Sequence, residues 1–241
     1  MTEMATADTD TERRAELAGN LAKLRSRVAA ACEAAGRDRA GITLVAVTKT
    51  YPAADVRRLA DLGVLDIGEN RDQEAAPKAA ELTGLPVRWH FVGQLQRNKA
   101  RSVVRYADLV HSVDGEPLAE ALARAAERYR DRPLDVLVQL SLDDDPERGG
   151  VPEPSLERVV EAILAGSSLR LRGVMAIAPL TWNPDTAFTR LAELAARVRA
   201  AAPDATVVSA GMSDDLEPAI AHGATHVRIG SALLGKRAHL R

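Results

Sequence analysis

One stretch, Leu44-Val45-Ala46-Val47-Thr48-Lys49-Thr50, decides how the rest of this chain is interpreted. It is a run of β-forming residues, and residues 44–47 have the length and apolar continuity of a strand buried on both faces in a parallel sheet. The run ends in Lys49. A charged amine at the carboxyl end of a buried strand is costly unless it has a partner or a function.

Lysine is scarce in this chain, which has five lysines among 32 basic residues. Arginine therefore fills most surface and ion-pair roles. Arginine stays protonated, whereas a desolvated lysine becomes a nucleophilic amine that forms Schiff bases. Taken alone, the strand favours a structural Lys49 whose amine reaches solvent or a carboxylate. A nucleophilic role needs support from elsewhere in the chain.

The composition is that of an ordinary folded protein, with 46% hydrophobic and 27% charged residues and a net charge of −2. A dedicated nucleic-acid surface normally shows a basic excess, so we expect no nucleic-acid partner. The one cysteine, Cys32, excludes an intrachain disulfide and is predicted to be a small buried residue. The sequence shows neither a signal-peptide pattern nor a membrane-spanning apolar run, so we expect a cytoplasmic protein with no membrane partner.

The amino-terminal segment is predicted to be a tail followed by a helix. Residues 1–8 are small and polar, which indicates a disordered tail. Thr9 and Glu12 form a capping-box pattern that begins the helix, and Gly36 ends it. We expect one domain over residues 9–241.

Beyond Gly36, short apolar strands alternate with amphipathic, alanine-rich helices. The predicted strands are Leu44–Lys49, Leu65–Gly68, Arg88–Val92, Leu109–Val113, Asp135–Leu140, Leu169–Ile177, Thr206–Ser209 and His226–Ile229. The predicted helices are Ala53–Leu62, Asp72–Leu82, Lys99–Tyr106, Glu116–Arg130, Ser155–Ala165, Pro184–Ala201 and Asp214–His222. This alternation predicts an α/β fold, a (β/α)8 TIM barrel with an extra amino-terminal helix. An open doubly wound sheet is the competitor, but no G-x-G-x-x-G follows the first strand.

Two turns near the end of the chain have the composition of a phosphate site. Barrels of this kind often bind phosphate with the loops after strands 7 and 8. Residues 209–213, Ser-Ala-Gly-Met-Ser, follow strand 7, and Gly230-Ser231 follow strand 8. Glycine lets backbone N–H groups approach an anion, and serine adds a hydroxyl donor. Ser213 is also placed to cap the helix that begins at Asp214. The alternative is two capped turns with no ligand.

Arg228 lies in the middle of the last strand, on the same face as His226 and Gly230. A buried arginine needs a partner. That partner is either a carboxylate of a neighbouring strand, Glu69 or Asp114, or an acceptor on a ligand.

The remaining chemistry-bearing residues carry little signal. His90, alone on its strand, is interpreted as a satisfied core residue. No pair of His, Cys or carboxylate residues has metal-site spacing, and we expect no metal.

An amine nucleophile, a phosphate cradle and a buried arginine together suggest pyridoxal 5′-phosphate (PLP), held by Lys49 as an internal aldimine, with Arg228 facing the pyridine nitrogen.

Six motifs closely resemble the family of pyridoxal phosphate homeostasis proteins, which are alanine-racemase-like single barrels. The resemblance runs from about residue 14 to 237. The motifs are Val45-Ala-Val-Thr-Lys49, Gly68-Glu-Asn70, Trp89-His-Phe-Val-Gly-Gln-Leu-Gln-Arg-Asn-Lys99, Arg172-Gly-Val-Met-Ala-Ile177, Ser209-Ala-Gly-Met-Ser-Asp214 and Val227-Arg-Ile-Gly-Ser231. Ala210, where methionine is common, the pair Arg71-Asp72 and the acidic loop at Asp143–Asp145 depart from the family pattern.

The resemblance implies a fold-type III PLP barrel without a carboxyl-terminal β-domain. It implies PLP on Lys49, phosphate contacts from Ser213, Gly230 and Ser231, and a pocket lined by Asn70 and Met175. The full implied set of cofactor-binding residues is Val47, Lys49, Asn70, Met175, Ser209, Gly211, Met212, Ser213, Arg228, Gly230 and Ser231.

The implied role is to bind PLP, buffer it and deliver it, which keeps the vitamin B6 and the amino and keto acid pools balanced. The resemblance implies little or no catalysis, PLP-requiring apo-enzymes as partners, and a monomer or weak homodimer. The alternative is a PLP-dependent racemase or lyase acting through Lys49, but racemases of this fold add a β-domain with a second acid/base, for which we expect no room here. A third hypothesis is a Schiff-base aldolase acting on a phosphosugar, which would carry no cofactor chromophore.

Overall fold

The computed structural model describes residues 2–145 and 149–235, and for residues 2–9 only the backbone. In this part of the chain, eight parallel strands close into a barrel in sequence order. The strands are β1 Thr43–Val47, β2 Asp66–Glu69, β3 Arg88–Phe91, β4 Leu109–Val113, β5 Leu134–Gln139, β6 Leu169–Met175, β7 Val207–Ser209 and β8 His226–Ile229. The predicted (β/α)8 barrel is confirmed, and the open sheet is wrong because β1 pairs with β8.

Helices cover the outside of the barrel. They are α1 Thr2–Ala34, α2 Ala53–Asp61, α3 Asp72–Glu81, α4 Ala100–Val103, α5 Glu116–Tyr129, α6 Leu156–Leu164, α7 Pro184–Ala201, α8 Leu216–Ala221 and α9 Ser231–Leu234. Within the described ranges, no helix is both long enough and apolar enough to span a membrane.

Helix α1 is the predicted extra helix. It begins at Thr2, within the segment predicted to be a disordered tail, rather than at the capping box of Thr9 and Glu12. Residues 2–8 contain neither glycine nor proline, so nothing in the local sequence stops a helix there. The domain boundary at residue 9 stays a prediction. Cys32 is 2% exposed, as expected for a small buried residue.

The first strand of the barrel is shorter than predicted. Strand β1 ends at Val47, and the Thr48 N–H still donates to the Gly68 carbonyl, 2.9 Å away. The Tyr51 N–H then donates to the Thr48 carbonyl at 3.0 Å, which closes a turn. Lys49 therefore lies in the turn after the strand and not on the strand itself.

The interior of the barrel is unusual because much of it is polar. Barrel interiors are normally filled by branched apolar side chains. Here Leu109, Leu137 and Met175 form a small apolar cluster, while the larger apolar clusters lie between the strands and the helices. Buried polar groups require hydrogen-bond partners, and those partners connect the barrel interior to the site.

Candidate functional site

A cavity of about 710 Å³ lies at the carboxyl ends of the strands. Eight of the eleven predicted site residues line it, and they come from β1, β8, the turns after β1, β2, β7 and β8, and the first residue of α9. These eight are Val47, Lys49, Asn70, Met212, Ser213, Arg228, Gly230 and Ser231. The parallel sheet brings them together because the carboxyl ends of its strands share one end of the barrel.

Three predicted site residues lie outside the cavity wall. Met175 ends β6 and packs in the barrel interior. Ser209 is fully buried, and its hydroxyl oxygen accepts a hydrogen bond from Arg228. Gly211 has a φ of +88°, and a Cβ atom there would lie 2.7 Å from the Cβ atom of Ala219. Gly211 therefore serves the packing of the β7–α8 turn.

Five residues of the cavity wall were not among the predicted site residues: Tyr51, Val92, Ile177, Asp214 and Gly235. Tyr51 donates its hydroxyl to the Gly235 carbonyl at 2.9 Å, so the turn after β1 is tied to the end of α9. No local pattern marks this contact, because its two residues are far apart in sequence.

The turn after β1 holds Lys49 half-exposed at the cavity. The next residue, Thr50, has a φ of +68°, a conformation that is strained for a β-branched residue. Its N–H donates to Glu74 Oε2 at 2.8 Å, which helps to hold that conformation. Among the described residues, the Lys49 amine has no hydrogen bond or ion pair. It is therefore available to a ligand.

A second lysine, Lys78, lies close by but is fully engaged. Its amine donates to Glu69 Oε1 at 2.7 Å and to the Thr48 carbonyl at 2.8 Å. Burial raises the pKa of Glu69, while hydrogen bonds from Lys78 and from the Thr48 hydroxyl oppose that rise. The Lys78–Glu69 pair supports the turn after β1 from outside the cavity. Of the two lysine amines near this turn, the one without a partner among the described residues is that of Lys49.

Arg228 is 6% exposed, and its contacts differ from the predicted ion pair. Its Nη1 donates to the carbonyl and the hydroxyl of Ser209, at 2.7 and 2.8 Å, and its Nη2 donates to the Ala176 carbonyl at 3.0 Å. Of the two alternatives for its partner, the carboxylate of Glu69 or Asp114 is wrong, because Glu69 is held by Lys78 and no carboxylate in the described ranges forms an ion pair with Arg228. Burial lowers the pKa of Arg228 to about 10, so the guanidinium stays charged at neutral pH.

The turns after β7 and β8 face each other across the cavity. The Ser213 and Ser231 hydroxyl oxygens are 3.4 Å apart, and the Ala232 N–H donates to Ser213 Oγ at 3.4 Å. In the part of the chain that the structure describes, the N–H groups of Ser213 and Gly230 have no acceptor. Two hydroxyls and two unused N–H groups make a set of donors for an anion.

Asp214 and Asp215, the two acidic residues in the turn after β7, do not both point at these donors. Asp215 accepts the Met212 N–H at 2.6 Å, and it is the residue at the cap of α8, which begins at Leu216. The prediction that Ser213 caps this helix is wrong, because its hydroxyl is directed to Ser231 and Ala232 instead. Asp214 does line the cavity, so one carboxylate remains near the donors.

His90 is a satisfied core residue, as predicted, but it is not alone. It is 4% exposed and bonded to Asp66 and His111, with His226 nearby. No group of three or more His, Cys, Asp or Glu side chains within residues 2–145 and 149–235 has the arrangement of a metal site. The metal expectation stays a prediction.

Several known proteins are similar to this chain in sequence. The family model described as "Alanine racemase, N-terminal domain" matches residues 19–238. A protein of Mycobacterium tuberculosis named "Pyridoxal phosphate homeostasis protein" is 48% identical over 94% of this chain and 95% of its own length. A protein of the same name from Escherichia coli K12 is 38% identical over 92% of this chain and 97% of its own length.

Solved structures show the same barrel. PipY of Synechococcus elongatus PCC7942, solved with PLP bound, has a TM-score of 0.77 and 36% identity, and the match covers 91% of this chain and all of PipY. Alanine racemase from Corynebacterium glutamicum has a TM-score of 0.69 at 19% identity, which shows a shared fold. This chain spans 63% of that racemase.

Proposed function

Since this chain belongs to the family of pyridoxal phosphate homeostasis proteins, we propose that it binds PLP in the cavity above the barrel and acts as a PLP buffer and donor. One observation supports this proposal most strongly. Among the described residues, a lysine without a partner, a buried arginine without an ion-paired carboxylate and a set of anion donors line the same cavity. Each has a counterpart on PLP, which offers an aldehyde, a ring nitrogen and a phosphate.

Each group on the wall has one role in this proposal. Lys49 supplies the amine that holds the aldehyde carbon. Ser213, Ser231 and the Gly230 N–H supply donors to the phosphate. Among the described residues, a Cβ atom at Gly230 would approach Val47 alone, at 3.6 to 3.8 Å, so the backbone there is open toward the cavity. Asn70, Met212 and Val47 form further parts of the wall.

Arg228 is the residue that favours storage over catalysis. A bound PLP supplies a conjugated ring that acts as an electron sink, and this sink is strongest when the ring nitrogen is protonated. Arg228 has a pKa of about 10 and three contacts that all use it as a donor. A permanent donor facing the ring nitrogen leaves that nitrogen unprotonated, which keeps the sink weak.

The described cavity wall is also poorly equipped for racemisation, which needs an acid/base on each face of the substrate. Besides Lys49 and Arg228, its ionisable side chains are Tyr51 and Asp214. Tyr51 commits its hydroxyl proton to the Gly235 carbonyl, and Asp214 directly follows Ser213, one of the donors assigned to the phosphate. We therefore propose a carrier with little turnover and not a racemase or a lyase.

The first test is an absorbance spectrum of the purified protein before and after borohydride, followed by peptide mass mapping. We expect a PLP chromophore that borohydride fixes on Lys49. The Lys49→Ala variant should lose it, whereas Lys23→Ala, on the exposed surface of α1, should keep it. Fixation on Lys78 would contradict the assignment of the amine. A colourless protein that takes up no added PLP would refute cofactor binding and return Lys49 to the aldolase hypothesis.

The second test concerns delivery. We propose PLP-requiring apo-enzymes as recipients, and a cytoplasmic monomer or weak homodimer as the working form. Mixing the loaded protein with an apo-enzyme, with and without a trap for free PLP, separates direct transfer from simple release. Activation that the trap abolishes would limit the role to buffering, while steady turnover of a common amino acid would favour the enzyme alternative.

A further inference from the structure

We propose that a directional chain of hydrogen bonds through the barrel, Asp66–His90–His111–Ser209, sets the orientation of Arg228 in the site. His90 and His111 are thereby positioning residues for the arginine. The effect on PLP rests on the proposed function, whereas the direction of the chain and its hold on Arg228 do not.

The chain runs from one end of the barrel to the other. Asp66, the first residue of β2, lines a second cavity of about 300 Å³ beside the amino-terminal ends of β1 and β2. Its Oδ1 is 2.9 Å from His90 Nε2, and His90 Nδ1 is 2.9 Å from His111 Nε2. His111 Nδ1 is 2.9 Å from Ser209 Oγ, which is 2.8 Å from Arg228 Nη1. All five side chains are buried.

The two ends of the chain fix its direction. Arg228 has donors only, so Ser209 Oγ must accept from it. At the other end, Asp66 is ionised. Burial acts to raise the pKa of Asp66, but hydrogen bonds from His90 and from Arg88, whose Nη2 lies 2.7 Å away, outweigh burial and leave the pKa below its usual value. An ionised carboxylate has acceptors only, so His90 Nε2 must carry a proton.

Between these ends, one arrangement of protons uses every polar atom. The Ser209 hydroxyl donates to His111 Nδ1, His111 Nε2–H donates to His90 Nδ1, and His90 Nε2–H donates to Asp66. Both imidazoles are neutral and both carry the proton on Nε2. An extra proton on His90 would place two N–H groups face to face, unless His111 turned its proton toward Ser209 and left the serine proton without an acceptor.

This direction matters to the site because it presents the lone pairs of Ser209 to Arg228. Three contacts then hold the guanidinium, two from Nη1 and one from Nη2, and its remaining N–H groups stay available in a side chain that lines the cavity. If the chain ran the other way, Ser209 Oγ would have to accept from His111 as well as from Arg228, and its own proton would have no acceptor. Turning the hydroxyl to relieve this would weaken its bond with Arg228, so the guanidinium would lose one of its three anchors and be held less firmly in its plane.

The Asp66→Asn variant tests the direction with little change in shape. An amide can donate as well as accept, so this substitution removes the anchor that fixes the protons. In the protein without PLP, long-range ¹H–¹⁵N spectra should show His90 and His111 with the proton on Nε2. We expect Asp66→Asn to populate the Nδ1–H form of both rings. The slowly rotating Arg228 guanidinium, assigned with Arg228→Lys, should then become mobile.

The control is His226→Gln, which removes an imidazole whose ring centroid lies 6.2 Å from that of His90 and 6.5 Å from that of His111. His226 bonds Thr225 and takes no part in the chain. Its loss should leave the tautomers and the Arg228 signal unchanged. If Asp66→Asn proves unstable, His111→Gln, which cannot reproduce both ring nitrogens, should give the same mobility of Arg228.

With PLP added, we expect Asp66→Asn to weaken affinity about tenfold and to shift the absorbance band, and His226→Gln to change affinity by less than about twofold. Nδ1–H tautomers in the wild-type protein would overturn the proposed direction. An Arg228 signal that stays rigid after the tautomers change would overturn the positioning role. A wild-type protein that binds no PLP would refute the proposed function, while the tautomers and the arginine signal would still decide this inference.

Discussion

Acid should weaken this fold through a half-buried histidine, His226, that does not take up a proton in the native state. Burial lowers the pKa of His226 from 6.5 to about 4. Between these two values the unfolded chain binds a proton that the folded protein does not. The free energy of unfolding therefore falls as the pH falls from 6.5 to 4.

The size of the effect follows from the two pKa values. At pH 5 the unfolded imidazole is almost fully protonated and the folded one is mostly neutral, so His226 alone lowers the free energy of unfolding by about 2 kcal/mol relative to pH 7.5. Burial also lowers the pKa of His111, which adds in the same direction. Burial raises the pKa values of Glu69 and Asp114, and these carboxyl groups act in the opposite direction above their unfolded pKa values.

A paired measurement isolates His226 from the other groups. Urea unfolding of the wild-type protein and of His226→Gln at pH 7.5 and pH 5 gives four free energies. Because the other titrating groups are common to both proteins, their contributions cancel in the difference. We expect the wild-type protein to lose about 2 kcal/mol more than the variant on acidification. Equal losses would refute the argument, since they would mean that His226 takes up its proton in the folded protein at an ordinary pKa.

Two further predictions concern the cavity wall and its support. In Gly93→Ala the new Cβ atom would lie 2.1 Å from the Asn70 carbonyl oxygen, so the cavity wall must shift. We expect a lower melting temperature and a PLP affinity weakened about tenfold or more. The control Gly166→Ala, whose new Cβ would have no described atom within 4 Å, should change neither. Lys78→Met should destabilise the protein in urea unfolding by about 3 kcal/mol, because it leaves the buried Glu69 carboxylate unpaired. Adding Glu69→Leu should restore most of that loss, and no recovery would mean that packing, not charge, explains the cost.

The fold could be predicted because its signals are local and repeated. Each strand is a short apolar run, each helix an amphipathic one, and their alternation permits few topologies. The boundaries were less accurate. Strand β1 ends two residues before Lys49, and α8 begins two residues after Asp214. The last residue of a strand or helix depends on which carbonyl accepts the hydrogen bond from its N–H, and the sequence does not show which carbonyl that is.

The position of the site was predictable for a related reason. Once the strands are parallel, the residues after each strand share one end of the barrel, so Lys49, Arg228 and the two serine-glycine turns had to meet there. Their neighbours could not be predicted in the same way. A carboxylate of a neighbouring strand was one of the two partners considered for Arg228, but its neighbours supply carbonyl and hydroxyl oxygens. Which atoms meet inside a barrel depends on the stagger between strands, and no single strand encodes it.

The contacts of Arg228 connect the acid sensitivity of the fold to the chemistry of the site. A carboxylate partner would have anchored the arginine more simply, but it would also have neutralised the guanidinium and competed for its N–H groups. Neutral oxygens hold the side chain and leave both its charge and its remaining donors to a ligand. Ser209 serves as such an acceptor because its proton is taken by His111, and that chain ends at Asp66. The imidazoles of the chain must therefore stay neutral, and the low pKa of His111 is a condition for the orientation of Arg228. An apolar interior would tolerate acid better, but it would leave Arg228 without the acceptor that fixes its plane.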